Sequence, residues 1–355
     1  MKQPKFILSK KIVIEQYNKV RQLADNVSYS SKTNQDITRI LEKDTDSMFS
    51  VHFINELKHI QDKSRVIFLA QAWDQQQISS LVQDGIINFV VDNEYDLDEL
   101  LKFINQDNTK INLFLRIKLK ENTIRTEKYF VFGMGAETAN KKIKELRNNK
   151  NIGKLGVHFH RKTQNMAEWN LKYEIENILD SETIKVLDMI NIGGGLPCEY
   201  ANTNIKVLDS IIKKIKEFRE FLSSNGIELI IEPGRFIAAP AIKLSTEIIG
   251  IYDNTILVNA SVYNSDMDAI IVPVKLLIED EVKEDELKGE QEKIKEECKP
   301  YIIKGCTPCS QDLFRYKAYL KDPKVGNKLT FLNAGAYNFT SDFCDLEKIE
   351  TEIIE

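Results

Sequence analysis

Between residues 27 and 235 the chain alternates short β-rich runs with longer helical stretches, and that alternation limits the available folds more than any other feature. The β-rich runs stand at 27–32, 48–52, 65–69, 87–91, 111–117, 155–160, 187–192 and 228–232. Between them, stretches such as 93–105, 136–149 and 205–223 repeat apolar residues at helical spacing. Strands separated by helices of this length argue for parallel βαβ units. Eight units suggest a (β/α)8 TIM-like barrel, whose catalytic groups gather at the C-terminal ends of the strands. A doubly wound open sheet uses the same units and stays open as an alternative. Beyond residue 245 the texture changes, and 256–258, 270–277, 301–303 and 328–332 read as strands without amphipathic helices between them. The expected layout is an α/β barrel over 20–245, with 1–19 and 246–355 forming a β-rich domain.

A chain of 355 residues exceeds what one core usually serves, so two domains are expected. The net charge of -5 leaves no basic footprint for nucleic acid. Apolar runs such as Leu229-Ile230-Ile231 are too short to span a bilayer. Met1-Lys2-Gln3-Pro4-Lys5 lacks the apolar core of a signal peptide. The cysteines at 198, 298, 306, 309 and 344 are few and scattered, which fits reduced thiols better than a disulfide framework. These features point to a cytoplasmic protein without a membrane or nucleic-acid partner. The Glu- and Lys-rich stretch 279–299 reads as a solvated loop.

Four motifs carry possible chemistry. On a strand alternate side chains share a face, so Ser28, Ser30 and Lys32 would point one way and leave room around a strand-end amine. Partial burial and nearby cations lower the pKa of such a lysine and suit it to Schiff-base chemistry, although most strand-end lysines are simply solvated. Gly156, His158 and His160 share the next face, where an imidazole could stack on an aromatic cofactor and Thr163 could bond a phosphate. A metal between the histidines lacks a carboxylate or thiol at partner spacing, so no metal is expected. Gly193-Gly194-Gly195 follows an apolar strand and would let backbone N–H groups approach a phosphate, though a tight turn explains it equally well. Glu232-Pro233-Gly234-Arg235 ends the eighth run, where a carboxylate could pair with a pyridine nitrogen and an arginine with phosphate.

Taken in order, a lysine at the first strand, His160-x-x-Thr163 at the sixth, Gly193-Gly194-Gly195 at the seventh and Glu232-Pro233-Gly234-Arg235 at the eighth resemble the fold-type III pyridoxal-phosphate (PLP) decarboxylases. That family includes ornithine, lysine, arginine, diaminopimelate and carboxynorspermidine decarboxylases. Lys32-Thr33-Asn34, the segment Tyr129 to Met134, and Asn333-Ala334-Gly335-Ala336-Tyr337 add to the resemblance, which covers nearly the whole chain. It implies an alanine-racemase-like barrel with a β-rich domain that completes the active site. Lys32 would carry PLP, His160 would stack on its ring and Thr163 would assist at the phosphate. Gly193, Gly194, Gly195, Gly234 and Arg235 would bind the phosphate together with Tyr337. Glu232 would pair with the ring nitrogen, and Glu56 and Arg116 would lie beside the cofactor.

The family also places a cysteine and an acid in the second domain, reaching a partner's site across a homodimer. Here the segment runs Gly305-Cys306-Thr307-Pro308-Cys309-Ser310-Gln311-Asp312, so the working thiol is Cys309 or Cys306 and the usual neighbouring acid is missing. Phe49-Ser50 stands where many members have Phe-Asp, and Ala260-Ser261-Val262-Tyr263 where diamino-acid decarboxylases have Asp-Gly-Val-Tyr. Asp266, Asp268 and Asp312 are then the carboxylates expected to grip a substrate's distal amine. The implied reaction is decarboxylation of a polar, basic or diamino acid to an amine and CO2. A racemase on the same fold and a non-catalytic regulatory relative are the alternatives.

Overall fold

The computed structural model describes residues 3–119, 132–167, 169–283 and 298–355, and it divides into two compact units. One comprises Gln16–Pro197 and Lys206–Gly234, the other Met1–Glu15, Cys198–Ile205 and Arg235–Glu355. The strands are β1 (Lys5–Ser9), β2 (Asn26–Ser30), β3 (Met48–Val51), β4 (Val66–Leu69), β5 (Asn88–Val91), β6 (Ile111–Arg116), β7 (Ile152–His158), β8 (Met189–Asn191) and β9 (Glu228–Ile231). They continue with β10 (Ile242–Tyr252), β11 (Thr255–Val258), β12 (Leu277–Ile278), β13 (Cys298–Lys304), β14 (Leu313–Lys321), β15 (Lys328–Leu332) and β16 (Glu350–Ile354).

In the first unit β2 to β9 form a closed, all-parallel barrel, each strand hydrogen-bonded to the next and β9 back to β2. The open-sheet alternative is thereby removed. The interior is built in layers that follow the period of two along each strand. Ile67, Val90, Phe114, Met189 and Ile230 form one buried apolar cluster, with Met48 packed against it. A Cβ at Gly156 would sit 2.6 Å from Met189 O and 2.8 Å from the Phe114 ring, so glycine on β7 makes the space those two side chains fill. Two residues further along, six of these strands turn polar, with Ser50, Asp92, Arg116, His158, Asn191 and Glu232, while Leu69 on β4 stays apolar. The barrel is plugged below and polar at its C-terminal rim.

Strand β2 ends at Ser30, and Lys32 lies in a short 3-10 turn, Ser31–Thr33, so strand alternation does not carry as far as the lysine. His160 likewise lies two residues beyond β7. The turn holding Lys32 runs straight into the helix Gln35–Asp44, whose N-terminus is capped by Asn34 Oδ1 accepting from the N–H groups of Asp36 (3.1 Å) and Ile37 (3.3 Å).

The second unit is an eight-stranded sheet in the order β12-β15-β10-β11-β13-β14, with β1 pairing β10 antiparallel and β16 parallel. The expected boundary at 245 falls inside β10, whose alternating burial from Ile242 marks it as one continuous strand of this sheet. The strand expected at 270–277 is not formed. Asp268–Ile271 is a short helix, and Pro273, without an N–H to donate to a ladder, delays pairing until Leu277. Of the stretch 279–299, expected as a solvated loop, Cys298 and Lys299 begin β13, and 284–297 lie outside the described residues. Among the described residues no helix is long and apolar enough to cross a membrane, and no group of three or more His, Cys, Asp or Glu side chains could hold a metal.

Candidate active site

At the rim of the barrel Glu232, only 2% exposed, is the best-anchored charged group. Its Oε1 accepts from Ser50 Oγ (2.7 Å) and Asn191 Nδ2 (2.8 Å), and its Oε2 lies 3.3 Å from His158 Nε2. Ser50 is tied in turn to Ser28 Oγ at 2.7 Å. Burial by itself pushes this carboxyl upward, but His158, His160 and the Ser50 hydrogen bond together hold it below the usual carboxylate range. None of Ser50, Asn191 or His158 stood out in the sequence as a partner of Glu232. The one available signal was that each occupies the inward position just beyond the apolar layer.

Around this carboxylate the strand ends bring the other barrel residues together. Burial lowers the Lys32 amine, opposed by Glu232 and Glu56 and aided by Arg116. Its side chain stands in the open mouth and is accessible, yet the surrounding rim is dense enough to desolvate its charge. His160 Nδ1 accepts from the Gly194 N–H at 3.2 Å, and burial pulls its imidazole down to about 3, so the ring is neutral. Gly193 takes a left-handed φ of +65°, and a Cβ there would lie 2.5 Å from Phe159 O, so only glycine lets β8 turn this close to β7. Thr163 is half-buried in the loop after β7, and that loop is tied to the glycines by Asn165 N–H to Gly195 O at 3.0 Å. Gly234 lies against Thr33 beside the lysine turn.

Glu56 Oε1 accepts from the N–H groups of His52 and Phe53, both at 2.9 Å, and burial raises its carboxyl above the usual range. Arg116 lies 4.0 Å from Asp92 and over the Phe132 ring at 4.8 Å, while Asp92 Oδ1 accepts from Gly133 N–H at 2.7 Å. The segment Phe132-Gly133-Met134 therefore docks on the end of β6, whereas residues 129–131 of that motif lie outside the described residues.

In the second unit Arg235 is buried, pairs with Asp268, and lies 3.3 Å from the Tyr200 hydroxyl and 5.4 Å from the Tyr337 ring. Asp268, expected to grip a substrate amine, is instead buried (1% exposed) and committed to this guanidinium. Asp312 is corrected more firmly. It is fully buried; its Oδ1 accepts from Val262 N–H (2.9 Å), and its Oδ2 accepts from Thr307 N–H (2.9 Å) and Thr307 Oγ (2.7 Å). With both oxygens engaged, it staples the 305–312 loop rather than facing a ligand. Asp266 is buried with Oδ2 unpartnered among the described residues, and burial pushes its carboxyl up to about 7. Cys309 Sγ lies 3.1 Å from the Tyr263 hydroxyl, whose hydrogen bond holds the thiol below its ordinary value, whereas burial raises the thiol of Cys306.

The barrel site fits pyridoxal phosphate on its own chemistry: an amine of depressed pKa, a carboxylate held ionised, the flat neutral imidazole of His160 and a glycine turn. Glu56 Oε2 and the Nδ1 atoms of His52 and His158 are also buried without hydrogen-bond partners among the described residues, as in a site built around a polar guest. A closed parallel barrel with this rim defines a pyridoxal-binding barrel. The family model of the pyridoxal-dependent decarboxylase pyridoxal binding domain matches residues 10–239, and the chain belongs to that family. Diaminopimelate decarboxylase of Halalkalibacterium halodurans is 27% identical over 214 residues, 55% of this chain and 45% of the relative. Antizyme inhibitor 2 of Xenopus laevis is 23% identical over 208 residues, 55% of this chain and 43% of the relative. The chain thus matches less than half the length of these curated relatives. The lysine/ornithine decarboxylase from Vibrio vulnificus, solved with cadaverine, shares the fold with a TM-score of 0.80 at 19% identity, covering 99% of this chain and 94% of that one.

Proposed function

We propose that the chain is a pyridoxal-phosphate-dependent decarboxylase of a polar amino acid, basic in keeping with the names of its relatives. The observation that carries this reading is Lys32 at the barrel rim together with a buried Glu232 held by Ser50, Asn191 and His158. Lys32 is the amine that would hold the cofactor, and its depressed pKa keeps more of it in the nucleophilic neutral form. Bound pyridoxal phosphate supplies an electron sink for the pair left behind when the α-carboxylate departs as CO2. Glu232, kept anionic by its donors, would face the ring nitrogen and hold a proton there. The neutral His160 would lie against the ring, and the amides of Gly193, Gly194 and Gly195, with Thr163 nearby, would take the phosphate. Of the two thiols, Cys309 is the better proton donor, since Tyr263 already polarises it. A homodimer, the commonest closed assembly, is the proposed working form.

The full chain is incubated with pyridoxal phosphate, reduced with borohydride and digested. The pyridoxyl group should be found on the peptide containing Lys32; attachment at another lysine would refute the assignment. With a panel of basic and diamino acids, released CO2 and amine should identify the substrate, and Lys32→Ala should lower kcat by at least ~10³-fold, about 4 kcal/mol. A non-catalytic binding role is the second reading, raised by the match to a protein named as an inhibitor. It predicts a pyridoxyl group on Lys32 but no CO2 from any member of the panel.

A further inference from the structure

Arg235 opens the short helix Arg235–Ala241 and Asp268 opens Asp268–Ile271, both within the second unit. Their side chains are 4% and 1% exposed. Guanidinium and carboxylate meet two atoms on two: Nη2 donates to Asp268 Oδ1 at 3.0 Å, and Nη1 makes an ion contact with Oδ2. Nη1 also donates to the Tyr200 hydroxyl at 3.3 Å. The rings of Tyr200 and Tyr337 lie 5.8 and 5.4 Å from the guanidinium carbon. A second carboxylate, Asp266, stands two residues before Asp268 and is also buried, with Oδ2 unpartnered among the described residues.

An arginine takes a carboxylate or a phosphate with the same fork of N–H groups. Here both terminal nitrogens of that fork are already engaged by Asp268. A buried guanidinium without a counter-ion is costly, so the carboxylate stabilises the arginine where it stands. A phosphate reaching Arg235 would find the positive charge neutralised. It would gain the guanidinium only by displacing Asp268, which would then be a buried carboxylate without its cation.

We propose that Asp268 is the internal counter-ion of Arg235 and sets its affinity for anions: it fills the arginine's anion position, so a phosphate group binds there only in competition with this carboxylate. Its functional meaning rests on the pyridoxal-phosphate reading, whose phosphate is the anion concerned. The consequence is a site that releases its phosphorylated cofactor more readily than one with an open arginine. Spacing alone set Asp268 among the candidates for a substrate's amine; the ion pair gives it the opposite kind of partner, a cation of its own chain.

The test compares ligands that differ in the phosphate, on the full chain freed of cofactor. Dissociation constants for pyridoxal phosphate, pyridoxal and inorganic phosphate are measured by titration calorimetry for the native chain and Asp268→Asn. Asparagine keeps the shape and one acceptor but removes the charge, leaving a buried cation that an anion relieves. Pyridoxal phosphate and inorganic phosphate should each bind about tenfold more tightly, the order of one charge-assisted hydrogen bond, while pyridoxal is unchanged. Phosphate binding that is unchanged or weaker in Asp268→Asn overturns the proposal. Should that variant not fold, as judged by its melting curve, Arg235→Met/Asp268→Leu replaces the whole pair with apolar side chains, an exchange that buried ion pairs often tolerate. Its affinity for inorganic phosphate should stay within about threefold of the native value, whereas a loss of about tenfold would show Arg235 serving phosphate with Asp268 in place, and would overturn the proposal as well. Failure of the cofactor reading looks different: borohydride fixes no pyridoxyl group on Lys32, and the inorganic phosphate titration still decides the role of Asp268.

Discussion

Replacing Asp312 by alanine separates a loop staple from a substrate-recognition carboxylate. The substitution removes the acceptor for three donors, Val262 N–H, Thr307 N–H and Thr307 Oγ, at a residue with no exposed surface. Each buried donor left unpaired costs about 1–3 kcal/mol. They share one carboxylate and do not add fully, so about 3–5 kcal/mol is expected for the unit that contains the loop. At roughly 2–4 °C per kcal/mol for a unit of this order of size, the melting temperature should fall by about 6–20 °C. Asp312→Asn, which keeps one acceptor oxygen and turns its new amide toward a donor, should fall between alanine and the native chain. The assay is thermal unfolding followed by circular dichroism, run beside KM for whichever amino acid releases CO2. If Asp312→Ala melts within about a degree of the native protein while KM rises tenfold or more, the carboxylate grips substrate and the staple argument is refuted.

Two other perturbations follow from the second unit. The Asp266 carboxyl is raised to about 7 by burial, so the folded state binds its proton more tightly than the unfolded chain does, and its contribution to stability is lost as pH rises from about 4 to 7. Asp266→Asn should therefore raise the melting temperature more at pH 8 than at pH 5; an equal gain at both would show that the carboxyl does not titrate in this window. His52 and His160, held near 3, act oppositely, favouring the fold as pH rises toward about 6.5, so the comparison is made against the native chain at each pH. Cys309→Ser should lower kcat by roughly 10²-fold or more, as expected for a lost proton donor, with Cys306→Ser changing it by only a small factor. The reverse order in single-turnover amine formation would transfer the role to Cys306.

The sequence alone determined what depends on local chemistry. Eight β-rich runs separated by helical stretches pointed to parallel βαβ units and suggested a barrel, and every run became a barrel strand, but closure against an open sheet was settled only by β9 pairing with β2. Glycines at 193 to 195 and a lysine at the end of the first run were legible because turn geometry and strand ends are written in neighbouring residues, although the lysine itself lies in a turn past the strand. Pro273 was legible too, though the apolar run around it masked its effect on strand pairing. Tertiary structure decided the partners. Ser50 meets Glu232 across 182 residues of sequence only because strands β2, β3, β8 and β9 share a barrel rim in a fixed register. The fate of the aspartates could not be read from residue type, since a carboxylate beside a cysteine motif can face a ligand or turn inward. Val262 and Thr307 turn Asp312 inward by supplying donors from two segments, one of them 50 residues away in the chain. Burial and pairing are properties of the folded surroundings, and composition or spacing carries them only where the partner lies nearby in sequence.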